Sequence, residues 1–208
     1  MNVFKMILTL SIIIIFNPIV IGQEVLTNWK TAKKSKNIRI SYRFVEVGDT
    51  LKTRQMRISF LVNAEPERII ELLKEPKNGE TWFSGTKKFQ LLEDNENTWT
   101  TYNLYKNIWP FEQNDIITNY SMVKTDSSIT LLTTGNPDFS PHLENIRRVK
   151  NYEGRWVLKP LDNGQTKVEF YTIAFTKPIF PRFIQDPIIQ KIFIDSINKL
   201  RNLATYHV

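Results

Sequence analysis

The stretch DPIIQKIFIDSINKLRNL, residues 186–203, decides the fold. Apolar residues recur in it at the three- and four-residue spacing of one helix face, at Ile189, Phe193, Ile197 and Leu200. Asp186 is a good N-cap residue and Pro187 a good first residue, so the pattern predicts a helix that begins here. About 18 residues make a helix about 27 Å long, which is enough to lie across a whole sheet.

The residues before this helix supply the sheet. Between residues 37 and 175 apolar and polar residues alternate, which is typical of strands with one apolar face. The clearest turn signal among them is Asp162-Asn163-Gly164, and a short helix opened by Pro66 and ended by Pro76 interrupts the series. The sequence therefore predicts an α+β fold, a curved antiparallel sheet of about eight strands wrapped around the long C-terminal helix.

The first 22 residues are set apart from this pattern. Lys5 supplies a positive charge, residues 6–16 are largely apolar, and Val20 and Gly22 are small residues before a cleavage position. We therefore expect residues 1–22 to be a signal peptide, residues 23–208 to be a single domain, and the protein to be exported to the periplasm or the medium. The alternative is an N-terminal anchor, but the apolar run spans about 17 Å against a hydrocarbon core of roughly 30 Å.

The composition argues against several kinds of site. There is no cysteine, and His142 and His207 are the only histidines, so neither a disulfide, a zinc site nor a histidine-based triad is favoured. We expect no metal and no cofactor. The formal net charge is +7. The lysines of residues 30–36 lack interleaved aromatic residues, so we interpret them as a solvated helix face and expect no nucleic acid. Transient contact with an anionic membrane surface stays open.

Several spaced motifs resemble the START lipid-binding domain, within the SRPBCC or helix-grip group. The resemblance runs from about residue 29 to residue 203. Its most specific part is TYNLYKNIWPFEQNDII, residues 101–117, where Tyr102, Trp109, Pro110 and Asp115 stand at the family's spacing. Asn114 stands where the family usually has Arg. RRVKNYEGRWVLKP, residues 147–160, resembles the family's Val-Arg strand that ends in Pro, and Trp82 stands where the family often has Trp after its first helix.

The resemblance implies a cavity between the sheet and the C-terminal helix. We expect this cavity to bind a lipid or another apolar small molecule for sequestration or transfer, without catalysis, in a monomeric protein. Two alternatives stay open. Some helix-grip relatives, the polyketide cyclases and aromatase-like domains, are cavity-based enzymes, and a filled core would instead indicate an interaction protein.

Strand alternation and the resemblance together give the candidate site. Alternation places Tyr102 on one strand face with Leu104, and Arg148, Tyr152 and Trp156 together on one face of a later strand. If these faces are concave, they line the cavity together with one side of the helix. The residues expected to contact the ligand are Trp82, Tyr102, Leu104, Trp109, Arg148, Tyr152, Trp156, Phe170, Ile189, Phe193 and Ile197. Each of them could equally be plain core.

Two of the candidates have a second interpretation. A buried arginine needs a partner, and Asp115 is the candidate for an ion pair with Arg148. That pair could join strands, or leave the guanidinium free to hold a lipid head group. The bulky segment Trp109-Pro110-Phe111 could cap the core, close one end of the cavity or touch a membrane.

Overall fold

The computed structural model describes residues 23–48, 51–140, 143–175 and 178–205. The predicted signal peptide and both histidines lie outside these residues. The helices are α1 (Pro66–Lys74), α2 (Pro76–Trp82) and α3 (Arg182–Thr205). The strands are β1 (Gln23–Val25), β2 (Lys30–Ser35), β3 (Ile38–Val47), β4 (Leu51–Val62), β5 (Thr86–Asp94), β6 (Thr98–Tyr105), β7 (Asn114–Thr125), β8 (Ser128–Gly135), β9 (Arg147–Arg148), β10 (Tyr152–Pro160) and β11 (Thr166–Ala174).

All these strands belong to one curved sheet, so the predicted α+β class is confirmed. Its order is β1-β3-β4-β11-β10-β8-β7-β6-β5, with antiparallel neighbours throughout. β2 pairs with β3, and the two-residue β9 runs parallel to β7. Ile197, Leu200 and Ala204 of α3 pack into the main core against one face of the sheet. That contact is the one predicted for the C-terminal helix.

The lysine-rich segment forms β2, so its interpretation as a helix face is wrong. β2 is almost wholly exposed and gains its stability from backbone pairing with β3. The turn between the two strands has positive φ at Lys36 (46°) and Asn37 (62°). Two consecutive left-handed residues allow the chain to reverse tightly. An exposed strand carries no apolar alternation, so the sequence pattern could not reveal it.

Residues 147–160 are not one continuous strand. Arg148 lies in β9 beside Asp115 of β7, where the Val149 N–H donates to the Asp115 carbonyl at 2.8 Å. Tyr152 and Trp156 lie in β10, which pairs with β8 and β11. The expectation that all three side chains share one strand face is therefore wrong for Arg148, because the chain changes partners between the two strands.

Helix α3 begins at Arg182, five residues before Pro187, the predicted first residue. The Pro181 carbonyl accepts the N–H groups of Ile184 and Gln185 at 2.9 and 3.2 Å, which starts the helix. Asp186 is not a cap; its carboxylate instead pairs with Arg54 of β4. Pro187 is the sixth residue of the helix, where its missing N–H removes one hydrogen bond of the helix ladder.

The helix opened by Pro66 ends at Lys74, just before Pro76, which was predicted to end it. Pro76 then opens the short α2, a helix that was not predicted. Trp82 ends α2, and its indole N–H donates to the Leu72 carbonyl at 3.0 Å. This bond holds the two helices together beside α3. Within the described ranges, none of the helices has the length and apolar character needed to cross a membrane.

Candidate functional site

Two neighbouring hollows remain between α3 and the sheet. The inner cavity, about 210 Å³, lies among α2, α3 and strands β4 to β7, β10 and β11. The outer cavity, about 310 Å³, lies under the first half of α3, beside β3, β4 and β11. Thr172 and Phe193 line both. The two hollows are therefore separated by little more than these two side chains.

Aromatic rings form the apolar wall of the inner cavity. The rings of Trp156 and Phe170 stack with their centroids 4.3 Å apart. Trp82 meets Trp156 edge to face at 6.5 Å, and Phe193 of α3 lies 6.2 Å from Phe170. The end of α2, strands β10 and β11 and the inward face of α3 thus supply one continuous aromatic surface. Such a surface suits an apolar guest.

The polar groups of the inner cavity are uncharged in character. They are hydroxyl and amide groups, from Thr101, Asn103, Tyr105, Thr118, Tyr120, Tyr152, Thr172 and Ser196. The hydroxyls of Tyr152 and Thr133 lie 3.2 Å apart and share a hydrogen bond.

The three tyrosine side chains of the inner cavity titrate outside their ordinary range. Burial raises the pKa of Tyr105, Tyr120 and Tyr152, because the phenolate form would lose its hydration. A tyrosine is ordinarily protonated at neutral pH, and the raised pKa extends that range upward, so the three phenols can donate hydrogen bonds.

The outer cavity has a more polar rim. The Arg54 guanidinium lies 4.0 Å from the centroid of the Tyr42 ring and pairs with Asp186. Arg182 lies 3.9 Å from the same carboxylate. Burial, and secondly the charge of Arg54, lower the pKa of Arg182. Apolar side chains such as Ile189 complete the lining, so the outer cavity has an apolar wall and a charged rim.

Seven of the predicted ligand-contact residues line these hollows. The inner cavity contains Trp82, Tyr152, Trp156, Phe170, Phe193 and Ile197. The outer cavity contains Ile189, together with the shared Phe193. The structure therefore brings these residues to one region of the molecule. Contact of each with a ligand stays a prediction.

Tyr102 and Leu104 lie on the opposite face of the sheet, so the predicted orientation of β6 is wrong. Thr101, Asn103 and Tyr105 line the inner cavity instead. Tyr102 and Leu104 form a separate cluster with Ile117 and Ile146. Nearly all of β6 is buried, on both faces. The two-residue alternation was visible in the sequence, but it could not show which face points to the helix.

Arg148 lines neither cavity because its guanidinium is engaged on the other face of the sheet. Nε and Nη2 donate to the two carboxylate oxygens of Asp115 at 3.0 and 2.7 Å. Nη1 donates to the carbonyls of Pro137 and Ser140 at 3.1 and 2.7 Å. The ion pair proposed from the sequence is thus present, in its strand-joining form, with both side chains 1% exposed. Burial, and then the Asp115 charge, raise the pKa of neighbouring Tyr102.

Trp109 also lines neither cavity, and it is 81% exposed. Its neighbour Phe111 turns inward instead. The Phe111 ring lies 5.9 Å from that of Phe180, and Phe111 lines the outer cavity. The two rings of this turn therefore differ in position: Phe111 lines the outer cavity, and Trp109 projects into solvent.

Sequence reasoning missed the polar side of the site. Asn103, Tyr105 and Tyr120 were not candidates, although alternation from Trp99 would have placed Asn103 and Tyr105 together on one face. Arg54 and Tyr42 of the outer cavity were missed as well. Their only sequence signal was strand periodicity, since α3 reaches them from far along the chain.

Structural comparison identifies the architecture. The structure is similar to the STAR-related lipid transfer protein (fragment 25–204) from Xanthomonas axonopodis, with a TM-score of 0.75 and 19% identity over 86% of this chain and 100% of that one. The lipid transfer and protein localization domain of human StarD13 gives 0.68 and 15% over 86% and 90%. The Zhui aromatase/cyclase from Streptomyces sp. R1128 gives 0.51 and 14% over 73% and 93%.

At the level of sequence, no protein-family model and no curated protein matches this chain. The evidence for relationship is the three-dimensional arrangement: the strand order, the two helices beside the sheet and the closing helix α3. Of these, the antiparallel sheet and the closing helix were expected from the resemblance to START domains and are confirmed, whereas α2 was not expected. The protein has a START-like helix-grip fold.

Proposed function

We propose that the protein binds a lipid or another apolar small molecule between the sheet and α3, for sequestration or transfer rather than for catalysis. The observation that carries the proposal is the pair of adjoining hollows, about 210 and 310 Å³, behind an aromatic wall. Together they reach the size of ordinary small-molecule sites, which range from about 300 to 1,000 Å³. The space between α3 and the sheet is incompletely filled, whereas a filled-core interaction protein would have a fully packed interior there.

The chemistry of the inner cavity favours binding over turnover. Its polar groups are hydroxyls and an amide. The phenols of Tyr105, Tyr120 and Tyr152 are protonated near neutral pH, since a tyrosine ordinarily titrates well above it and burial raises the pKa of each further. Protonated phenols donate hydrogen bonds but do not supply a general base near neutral pH. The fold itself is compatible with either role, since structures named for lipid transfer and for aromatase/cyclase activity both resemble it.

Native mass spectrometry of protein prepared without detergent tests the proposal. We expect a bound apolar molecule that is recovered chemically unchanged after extraction. Thr118→Phe places a ring inside the inner cavity and should abolish or strongly reduce loading. Thr130→Phe makes the same change on the opposite face of the sheet and should leave loading intact. Wild-type protein that is empty and ignores a broad lipid panel would overturn the proposal, and conversion of the ligand would favour the enzyme.

We further propose that ligand exchange occurs at a membrane surface, through exposed apolar side chains beside the outer cavity. Trp109, Ile179 and Phe183 are 81%, 56% and 80% exposed, and Ile179 also lines that cavity. The double variant Trp109→Ser/Phe183→Ser should lose co-sedimentation with anionic vesicles while keeping its ligand. Unchanged co-sedimentation would contradict this role.

Export through the N-terminal segment and a monomeric state are part of the same proposal. Both are tested on protein expressed from the full sequence. Cell fractionation with N-terminal sequencing should give a mature chain that begins at Gln23, outside the cytoplasm. Light scattering of that material should give the mass of one chain.

A further inference from the structure

Asn103 is a buried amide that lines the inner cavity. It lies on β6 between Thr101 and Tyr105 along the same face, and only 9% of the residue is exposed. Its Oδ1 atom is buried and has no hydrogen-bond partner among the residues that the structure describes. Buried polar side-chain atoms in folded proteins nearly always have such a partner. The atom is therefore poised to accept a hydrogen bond from a donor in the cavity.

The surroundings of Asn103 are polar but uncharged. Tyr105 is its neighbour on β6, Tyr120 comes from β7 and Tyr152 from β10, and all three line the same hollow. Each phenol is a neutral hydroxyl near neutral pH, and burial raises its pKa further. A guest with a polar end would meet hydroxyl and amide groups at this side of the inner cavity.

Charge distribution decides which kind of polar end fits. Every described residue that lines the inner cavity is apolar, hydroxyl-bearing or an amide. Arg148 of β9 and Asp115 of β7 pair with each other on the face of the sheet away from the helix. A phosphate or ammonium group in the inner cavity would thus be buried without a counter-charge there, which is far more costly than burying a hydroxyl.

We infer that the ligand of the inner cavity is an uncharged amphipathic molecule with a free hydroxyl group, and that Asn103 Oδ1 accepts a hydrogen bond from that hydroxyl. The apolar body of the molecule lies against Trp82, Trp156 and Phe170. This inference rests on the proposed binding function and names the chemical class of its ligand. It also assigns Asn103 as a residue that determines specificity.

Two probes of the same chain length test the assignment directly. 1-Dodecanol carries a hydroxyl donor, and its methyl ether has the same chain without the donor. Binding of each to delipidated wild-type protein is measured by competition in native mass spectrometry. We expect the alcohol to bind about tenfold more tightly, the difference expected from one hydrogen bond of ordinary strength.

A matched pair of variants connects the preference to Asn103. Asn103→Leu is similar in size and lacks the acceptor, so it should bind the alcohol and the ether equally. Asn202→Leu makes the same change on the exposed side of α3 and should keep the wild-type preference. A preference retained in Asn103→Leu would overturn the role of this residue.

The outcomes separate this inference from the proposed function. Equal binding of both probes by the wild-type protein would overturn the hydroxyl assignment and leave apolar binding intact. Tighter binding of dodecyl phosphate than of dodecanol would also overturn it. Failure of all probes to bind would count against both proposals. If Asn103→Leu does not fold, the comparison of probes on wild-type protein still decides the ligand class, and Asn103→Ala, which also lacks the acceptor, tests the role of the residue.

Discussion

A single buried ion pair ties the segment after β8 to the sheet. Arg148 reaches both oxygens of Asp115 and two backbone carbonyls, so one guanidinium joins β7, β9 and the connection between β8 and β9. A buried pair of this kind is weak evidence for stability when it is compared with apolar residues, but breaking it leaves an uncompensated buried charge. The loss should therefore be large when only one partner is removed.

Asp115→Asn should lower the free energy of unfolding by roughly 3 to 5 kcal/mol, because Arg148 would then be buried without its counter-charge. Urea denaturation followed by circular dichroism measures the change. Glu67→Gln is the matched control, since Glu67 pairs with Lys124 at 3.0 Å and the two side chains are 59% and 66% exposed. This exposed pair should contribute less than about 1 kcal/mol. Equal small losses in both variants would contradict the structural role of the Asp115 pair.

The sequence anticipated this pair from one physical rule, that a buried arginine requires a partner. The same rule could not show on which side of the sheet the pair lies. Tyr102 illustrates the difficulty, because it lies beside Asp115 on the face away from α3 and yet has the size and hydrophobicity of a cavity residue. Side-chain type alone does not distinguish a core face from a binding face.

One arginine fastens the end of α3 to the sheet. Arg201 Nε donates to the Leu61 carbonyl at 2.7 Å, and Nη1 donates to the Lys36 carbonyl at 2.9 Å. Leu61 is in β4, and Lys36 is in the turn that joins β2 to β3. The end of the helix is therefore bonded to two separate parts of the sheet.

Arg201→Met should destabilise the protein by about 2 kcal/mol, because it removes charge-assisted hydrogen bonds to backbone carbonyls while keeping most of the aliphatic packing. Thermal or urea denaturation gives the value. Lys199→Met changes a neighbouring exposed cation of the same helix and should have little effect. If the two substitutions lower stability equally, the hydrogen bonds of Arg201 do not hold the helix.

Elements with a strong periodic pattern were predicted well, and those held by distant contacts were not. The eight long strands and the apolar stripe of α3 follow from alternation and helical spacing. β2 lacks alternation because both of its faces are solvated. The start of α3 was misplaced because Asp186, a good N-cap by local preference, is instead held by Arg54 of β4. Local sequence cannot report a partner more than a hundred residues away.

Phe193 lies where the two cavities between the sheet and α3 adjoin. Its ring lines both hollows and lies 6.2 Å from Phe170 across the inner cavity. The sequence predicted this residue as a cavity residue from its place on the helix stripe. It could not predict that the space is divided, because the division depends on how closely α3 approaches the sheet.

Phe193→Ala should join the two hollows and shift the bound population toward bulkier ligands, because the ring between them is removed. Native mass spectrometry of co-purified ligands reads out the shift. Phe139→Ala removes a partly exposed ring that lines neither hollow, and it should leave the ligand masses unchanged. An unaltered ligand profile in Phe193→Ala would show that the ring does not limit the space.

The exposed strand β2 has a consequence for how copies of the protein meet one another. An outermost strand offers unpaired backbone groups on which another sheet could grow. Here that border carries Lys30, Lys33 and Lys34, all exposed to water. Two such borders would bring like charges face to face, so repulsion disfavours the continuous stacking of sheets that leads to aggregates. The lysines thereby disfavour aggregation through the unpaired edge of β2.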